Sequence, residues 1–239
     1  MSEKSPIPII FEDENYLVIN KPADLLVHRS PISRDKVSVI QILKEQLNVD
    51  YIHPVHRLDR ATSGVLLMSK NTETTQFATE QFMSKQTIKT YFTIIRGWPK
   101  EQEGIVRKAL KNHKGVVQEA ETEYKLIHRV ELPVQISKFS TARYSLVRCR
   151  PVTGRQHQIR RHVKHLTGPV IGDTKFGKKE HNDYFKNVHD CPQLLLFSAQ
   201  LKLNIYSGKQ VVLKANLPSY FEHLCDEFSW SKDMIIANY

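Results

Sequence analysis

The nine residues HRLDRATSG, from His56 to Gly64, place one acid between two arginines and follow it with turn-forming residues. Asp59 stands between Arg57 and Arg60, and nearby positive charge favours the ionised form of a carboxyl group. The apolar segment GVLLMS follows and predicts a strand. A loop anchored by a buried strand is a common place for catalytic residues. An exposed Arg–Asp–Arg ion-pair cluster explains these residues equally well.

The charge balance of the 239-residue chain favours a polyanionic partner. Lys plus Arg number 35 against 25 Asp plus Glu, which gives a formal net charge of +10. Nucleic acid is the first candidate, because basic side chains release counterions from its phosphates, and an anionic membrane is the competitor. No apolar run approaches the roughly 20 residues of a membrane span, and MSEKSPIPIIFED lacks a signal-peptide core. We expect a cytoplasmic protein with one catalytic domain over residues 1–239 and a core of about 8–217.

Cysteine and histidine spacing gives no metal or disulfide signature. The three cysteines, Cys149, Cys191 and Cys225, are widely spaced, and we expect them to be reduced and structural. His157, His162 and His165 lie close in sequence, but no HExxH motif or carboxylate accompanies them, so hydrogen bonding or phosphate contact is favoured over metal binding. Because the GxGxxG and GxxxxGK[ST] motifs are also missing, the sequence predicts neither a metal nor a cofactor.

Hydrophobic periodicity predicts a chain of mixed strands and helices. PIIFEDENYLVINKP predicts two short strands around a turn, ended by Pro22. Three later stretches predict strands of one sheet, namely IKTYFTIIRG, ARYSLVRCRP and PQLLLFSAQLKLNI. VSVIQILKEQL and ETTQFATEQFMSK predict helices. Two hydrophilic stretches, residues 98–123 and 177–190, lack sustained periodicity and are predicted to be excursions from the sheet.

The strand predicted from IKTYFTII carries a tyrosine that could meet a nucleic-acid base. Alternation places Lys89 and Tyr91 on one face and the more apolar residues on the other. If the apolar face packs in the core, Tyr91 is directed outward into a groove, where its ring can stack on a base. A tyrosine packed at the rim of a sheet is the alternative.

The stretch RPVTGRQHQIRRHVKHLTGP predicts a turn followed by a basic helix that ends at Gly168 and Pro169. Its apolar stripe consists of Ile159, Val163 and Leu166. Positive side chains lie opposite or beside this stripe, at Arg155, Arg160, Arg161 and Lys164. They suit phosphate contacts and carboxylate pairing, although a solvated basic face gives the same pattern.

Four motifs, HRLDRATSGVLLMSK, KTYFTIIRG, RPVTGRQHQIRRHVKHLTGPVIGD and LLLFSAQL, resemble in order and spacing the RluA family of pseudouridine synthases. The resemblance runs from LVINKP to about Leu217. It implies an α+β fold with a mixed, largely antiparallel sheet, flanking helices and a central RNA-binding cleft, without an S4-type RNA-binding module. It also implies a cofactor-free isomerase, which breaks the N-glycosidic bond of uridine and joins C5 of the uracil to the same ribose carbon.

The resemblance assigns roles residue by residue. Asp59 becomes the catalytic aspartate, acting as nucleophile or as base at C2′ of the ribose, Tyr91 lies beneath the target base, and Arg160 pairs with the aspartate. Arg57 enters the stack when the uridine flips out, and Leu195 forms an apolar base pocket. The candidates for RNA contact are Arg57, Arg60, Lys89, Arg155, Arg161 and Lys164. At Phe197 and Ser198 the chain departs from the His-Ala pair of many members.

The stretches NKPADLLVHRS and HQIRRHVKHLTGPVIGD are most similar to the tRNA-modifying branch of that family. This implies a tRNA substrate, at the T-arm uridine of position sixty-five, and a monomer without an obligate protein partner. A ribosomal RNA substrate suits the same catalytic residues, because residues 98–122 and 177–192 would choose the RNA. A non-catalytic RNA-binding protein or RNA chaperone is the alternative from another class, and the joint presence of Asp59, Tyr91 and Arg160 argues against it.

Overall fold

The computed structural model describes residues 6–29 and 37–239. The first five residues of MSEKSPIPIIFED, and Ser30 at the end of NKPADLLVHRS, lie outside the described residues. The chain divides into two compact units, of which the first comprises residues 1–88 and 198–216 and the second residues 89–197 and 217–239. The single catalytic domain stays a prediction.

The first unit is built on a sheet whose strands follow the order β1-β2-β4-β11, with β3 paired to β4 and β12 to β11. These strands are β1 (Ile9–Glu12), β2 (Tyr16–Lys21), β3 (His53–Pro54), β4 (Ser63–Ser69), β11 (Leu196–Asn204) and β12 (Gln210–Lys214). The predicted hairpin around the Asp-Glu-Asn turn is confirmed by antiparallel pairing of β1 with β2. Strand β4 is buried along its whole length, as expected of a continuous apolar run.

Two helices of the first unit begin where the sequence offers a capping side chain. Helix α1 (Val39–Leu47) is capped by Ser38, whose hydroxyl accepts from the Gln41 amide, and α2 (Thr72–Met83) is capped by Asn71, whose side chain accepts from the Thr74 amide. Such caps satisfy amides that have no partner within the helix. Both helices are confirmed, although among Phe77, Ala78 and Phe82, the residues expected on the apolar face of α2, only Ala78 is fully buried.

The second unit has an antiparallel sheet in the order β5-β10-β9-β6 and a separate β7–β8 hairpin. Its strands are β5 (Ile88–Arg96), β6 (Glu103–Arg107), β7 (Leu110–Lys111), β8 (Val117–Gln118), β9 (Glu121–Leu132) and β10 (Ala142–Pro151). Its helices are α3 (Gln158–Leu166), α4 (Lys179–Val188), α5 (Ser219–Glu227) and α6 (Lys232–Ala237). The predicted α+β class with a mixed, largely antiparallel sheet and helices is confirmed.

The prediction for residues 98–123 is wrong, because β6 lies within this stretch and pairs with β9 in the sheet. Exposed and half-buried positions alternate along β6 between its charged ends, and the buried residues of β9 are Thr122, Tyr124, Leu126 and Ile127. Residues 177–190 do lie off the sheet, but they form α4. That helix contributes only His181 and Phe185 as buried residues, so its apolar periodicity is short.

The core of the chain includes its three cysteines, which are free and buried. Burial raises the thiol pKa to about 12 at Cys149 and Cys191 and to about 11 at Cys225. Their burial confirms the prediction that the cysteines are structural, and their reduced state stays a prediction. Across the part of the chain that the structure describes, every helix is too short or too polar to span a bilayer.

Candidate active site

The loop that carries Asp59 connects β3 to β4, as the sequence predicts. Leu58 and Thr62 are buried on either side of Asp59, and the Thr62 amide donates to the Asp59 carbonyl at 3.0 Å, which closes a turn around the acid. Arg57 and Arg60 are exposed, whereas Asp59 is half-buried. The loop therefore holds its carboxylate on a fixed backbone between two side chains that extend toward solvent.

A buried lysine, which sequence reasoning missed as a site residue, secures this loop. Lys21 ends β2, has no exposed surface, and donates from Nζ to the carbonyls of Pro22, Leu25 and Arg60 at 2.7, 2.7 and 2.9 Å. Burial lowers the Lys21 pKa to about 7, although the charges of Asp24 and Asp59 act in the opposite direction. The only signal in the sequence is a lysine that ends an apolar strand just before a proline.

Gly64, the last residue of HRLDRATSG, is required by the backbone. It pairs with Lys21 across β2 and β4 and has a φ of +108°, a conformation that side-chain-bearing residues rarely adopt. A Cβ placed there would lie 2.1 Å from the Ser198 carbonyl oxygen of β11. The close approach of β11 therefore explains why the motif ends in glycine.

Tyr91 and Lys89 lie on β5, where Tyr91 is opposite Cys149 of β10. Only 8% of Tyr91 is exposed, so its ring does not lie open to solvent, and its place in a groove beneath the target base stays a prediction. Both faces of β5 are buried. The alternation of polar and apolar residues identifies the solvent-facing side of a strand only where one face of the sheet is exposed to solvent. Lys89 is half-buried, and burial lowers its pKa to about 8.

Leu195 is fully buried at the end of the loop that precedes β11. Its carbonyl accepts from the Ile94 amide at 3.0 Å and from the Thr93 hydroxyl at 2.8 Å. The backbone of Leu195 is thus joined to β5 two or three residues beyond Tyr91. Phe197, at one of the two positions that depart from the family pattern, is buried against Phe221 of α5.

Arg160 lies on the buried side of α3, where its guanidinium forms a bidentate ion pair with Asp173. Nε donates to Oδ2 at 2.7 Å and Nη2 donates to Oδ1 at 2.8 Å. The Arg160 side chain is 9% exposed and that of Asp173 is fully buried. Sequence reasoning missed Asp173, although it stands within the quoted motif that ends in VIGD.

The first turn of α3 is held by polar side chains that compensate for the missing helix cap. His157 precedes the helix with a φ of 54° and makes no capping hydrogen bond. Gln158 instead accepts from the Arg155 amide and donates to the Glu121 carbonyl, at 2.9 and 2.8 Å. His162 uses both ring nitrogens, toward the Thr122 hydroxyl and the Lys108 carbonyl, so hydrogen bonding accounts for its position.

The remaining RNA-contact candidates differ in whether they already form hydrogen bonds within the protein. Arg155 donates to the Glu119 carbonyl at 3.0 Å, and Arg161 donates to the Lys111 carbonyl at 2.9 Å. Lys164 is exposed. The two arginines are therefore oriented by the backbone next to them, which reduces the conformational entropy that a phosphate contact would cost.

The predicted site residues divide between the two units. The first unit contains Arg57, Asp59 and Arg60, and Lys21 of the same unit donates to the Arg60 carbonyl. The second unit contains the other predicted residues, which are Lys89, Tyr91, Arg155, Arg160, Arg161, Lys164 and Leu195. The assignment of these residues to catalysis and RNA contact stays a prediction.

Comparison with known proteins identifies the family. The family model described as RNA pseudouridylate synthase matches residues 15–165. The chain is 37% identical to tRNA pseudouridine synthase C of Vibrio vulnificus (strain CMCP6), over 98% of this chain and 100% of that protein. It is 36% identical to tRNA pseudouridine synthase C of Haemophilus ducreyi, over 94% of this chain and 96% of that protein.

Solved structures agree with the fold. Human RNA Pseudouridylate Synthase Domain Containing 4 superimposes with a TM-score of 0.73 and 23% identity, over 93% of each chain. Human RNA Pseudouridylate Synthase Domain Containing 1 gives a TM-score of 0.75 at 20% identity, over 100% of this chain and 97% of that one. The resemblance to RluA-type synthases, and within them to the tRNA pseudouridine synthase C (TruC) branch, is confirmed, and the predicted enzyme class, an isomerase, with it. The chain belongs to the RNA pseudouridylate synthase family.

Proposed function

We propose that this protein converts one uridine of tRNA into pseudouridine, with Asp59 as the essential carboxylate. The observation that carries the proposal is the similarity, over nearly the whole chain, to relatives named tRNA pseudouridine synthase C. The target is a uridine in the T-arm stem, and the enzyme acts in the cytoplasm as a monomer with one catalytic domain.

The reaction is an isomerisation that side chains alone can perform. The bond from N1 of uracil to C1′ of the ribose breaks, the base turns, and C5 bonds to C1′. The hydrogen of C5 leaves as a proton and N1 gains one, so no electrons are gained or lost overall. Asp59 acts on the ribose as nucleophile or as base at C2′, and both roles require its ionised form.

The ordered loop around Asp59 suits this role, because a carboxylate must be held within a small distance of the ribose to react. Lys21 joins the backbone of the loop to the end of β2 through the Arg60 carbonyl. Its charge also attracts that of Asp59, although burial lowers the Lys21 pKa to about 7. Arg160 is the proposed partner of Asp59, and Tyr91 and Leu195 are the proposed surfaces for the base.

Exposed basic residues suit the binding of the RNA. Extruding a base from the stack costs a few kcal/mol. Arg57 is exposed next to Asp59, where it can fill the gap that the uridine leaves. Arg60, Lys89, Arg155, Arg161 and Lys164 are the proposed RNA contacts, and the net charge of +10 favours association with RNA.

The test is a tritium-release assay with purified protein and transcribed tRNA that carries uridine labelled at C5. Because forming the C5–C1′ bond expels the C5 hydrogen, turnover releases tritium to the solvent. Asp59→Asn should abolish release and leave tRNA affinity within a few-fold, since the amide keeps the shape of the acid but can neither attack nor accept a proton. Carbodiimide mapping then locates the modified uridine.

Two controls separate the alternatives. Labelled ribosomal RNA fragments are tested in parallel, and turnover on these with no turnover on tRNA would replace the proposed substrate. If the protein were an RNA chaperone, wild type and Asp59→Asn would anneal or remodel RNA equally well, and neither would release tritium. Deuterium at C2′ of the target ribose distinguishes the two roles of Asp59, because only proton abstraction there slows the labelled substrate.

A further inference from the structure

We propose that Asp173 is a positioning residue that fixes the direction of the Arg160 guanidinium for the reaction. The inference rests on the proposed function, in which Arg160 is part of the catalytic set. Asp173 does not need to touch the RNA for this role. It would act only through the edge of the guanidinium that it binds.

The geometry of the pair leaves the guanidinium little freedom. Two parallel N–H groups, Nε and Nη2, meet the two oxygens of one carboxylate, at 2.7 and 2.8 Å. A bidentate contact of this kind fixes the plane of the guanidinium as well as its distance. Because Nε and Nη2 lie on one edge, the Nη1 side of the group is directed away from Asp173.

The carboxylate is itself held in place from its other side. Oδ1 of Asp173 also accepts from the amides of Lys175 and Phe176, both at 2.9 Å. These hydrogen bonds, with the bond from Arg160, lower the Asp173 pKa although burial alone would raise it. The acid therefore remains ionised and keeps a single orientation against the turn that follows it.

The turn after Asp173 closes around the pair. The Asp173 carbonyl accepts from the Gly177 amide and from Nδ2 of Asn182, both at 3.0 Å. The Phe176 ring lies under the guanidinium, with the Arg160 Cζ atom 5.2 Å from the ring centroid. The Asp173 carboxylate contacts the edge of the planar guanidinium and the Phe176 ring contacts its face. Together they favour a single orientation of the guanidinium.

Orientation explains this arrangement better than stability does. Removing two charges from water costs about as much as their mutual attraction returns, so apolar side chains of similar volume often stabilise a core equally well. A buried ion pair is thus a poor device for stability alone. It is a good device for directing a cation, since the opposite edge of the Arg160 guanidinium can then present its charge without reorganising.

The test compares Asp173→Asn with wild type in single-turnover tritium release on tRNA. The amide can still accept from the turn amides, but it loses the charge and one of the two acceptors for Arg160. We expect the single-turnover rate to fall about 10- to 100-fold, because a small misplacement of a reacting group has an effect of this size. The Kd for tRNA should stay within about threefold, since Asp173 is buried and binds no RNA.

A matched control separates positioning from loss of stability. Glu227→Gln weakens a partly buried carboxylate hydrogen bond of the same unit, in which Glu227 Oε1 lies 2.7 Å from Nδ1 of His189. This variant should lose thermal stability and keep the wild-type rate. If Asp173→Asn does not fold at the assay temperature, Asp173→Glu replaces it, because it keeps the charge and displaces the carboxylate by one methylene.

A double-variant cycle tests whether Asp173 acts through Arg160. Arg160→Lys cannot make the bidentate contact, so adding Asp173→Asn to it should not slow the residual rate further. The inference is overturned if a folded Asp173 variant reacts within twofold of wild type, if the two effects multiply, or if Arg160→Lys is itself fully active. Activity of Asp59→Asn would instead overturn the proposed function.

Discussion

The replacement of Gly64 by alanine is a direct test of why HRLDRATSG ends in glycine. Gly64 combines a φ of +108° with a close approach of β11, whose Ser198 carbonyl oxygen would lie 2.1 Å from an added Cβ. Ordinary van der Waals contacts of a Cβ begin at 3.4 Å. Because the obstacle is backbone in a paired strand, it has little room to move aside.

Two contributions determine the expected loss of unfolding free energy. A positive φ costs an L-residue about 1–2 kcal/mol. Forcing a methyl group into a filled space adds about 1–3 kcal/mol. The sum for Gly64→Ala is about 2–5 kcal/mol, which corresponds to about 4–20 °C in Tm for a chain of this length.

Gly208→Ala supplies the matched control. Gly208 belongs to the same unit and has a φ of +82°, but no atom lies within 4 Å of its added Cβ. It should lose only the backbone contribution, about 1–2 kcal/mol. Thermal unfolding followed by circular dichroism measures both variants in one buffer. Equal Tm losses in the two variants would contradict this prediction, because the clash with β11 would then contribute nothing.

Three further predictions concern the RNA-binding and base-binding residues. Because burial lowers the pKa of Lys89 to about 8, its positive charge is lost as the pH rises through that value. Between about pH 7 and 9 the tRNA affinity of wild type should therefore fall more than that of Lys89→Arg, whose guanidinium stays charged. Parallel pH curves for the two proteins in filter binding would contradict this. Tyr91→Phe should fold and bind tRNA but turn over much more slowly, whereas Tyr91→Ala should also lose about 3–5 kcal/mol of stability by leaving a cavity; two variants with wild-type tritium release would reduce Tyr91 to a packing residue. Lys164→Ala should lower the slope of log affinity against log salt by about one, and the exposed Lys186→Ala should leave it unchanged; identical slopes for all three proteins would remove Lys164 from the RNA contacts.

The sequence predicted elements whose periodicity is carried by apolar residues. The fully buried β4 and the capped helix α1 are of this kind, and so is the hairpin of β1 and β2. Strands β6 and β9 were missed because charged residues occupy their solvent positions and interrupt the alternation. Their place in the sheet depends on pairing between distant segments, which local patterns do not encode.

The candidate site was predictable where a motif is contiguous. Asp59 and its arginines stand together in the sequence, and so do the basic residues of α3. Lys21 and Asp173 were missed because their roles depend on partners elsewhere in the chain, which are backbone carbonyls for Lys21 and a guanidinium for Asp173. From sequence alone a charged residue is predicted to be exposed, because the contacts that allow its burial form only in the folded protein.

The buried cysteines make this protein well suited to site-directed labelling. Maleimides react with the thiolate, and burial keeps Cys149, Cys191 and Cys225 both protonated and inaccessible. A single cysteine introduced at an exposed position such as Lys164 would therefore be modified without first removing the native thiols. A fluorophore or photocrosslinker attached there would report directly on which nucleotides of a bound RNA pass by α3.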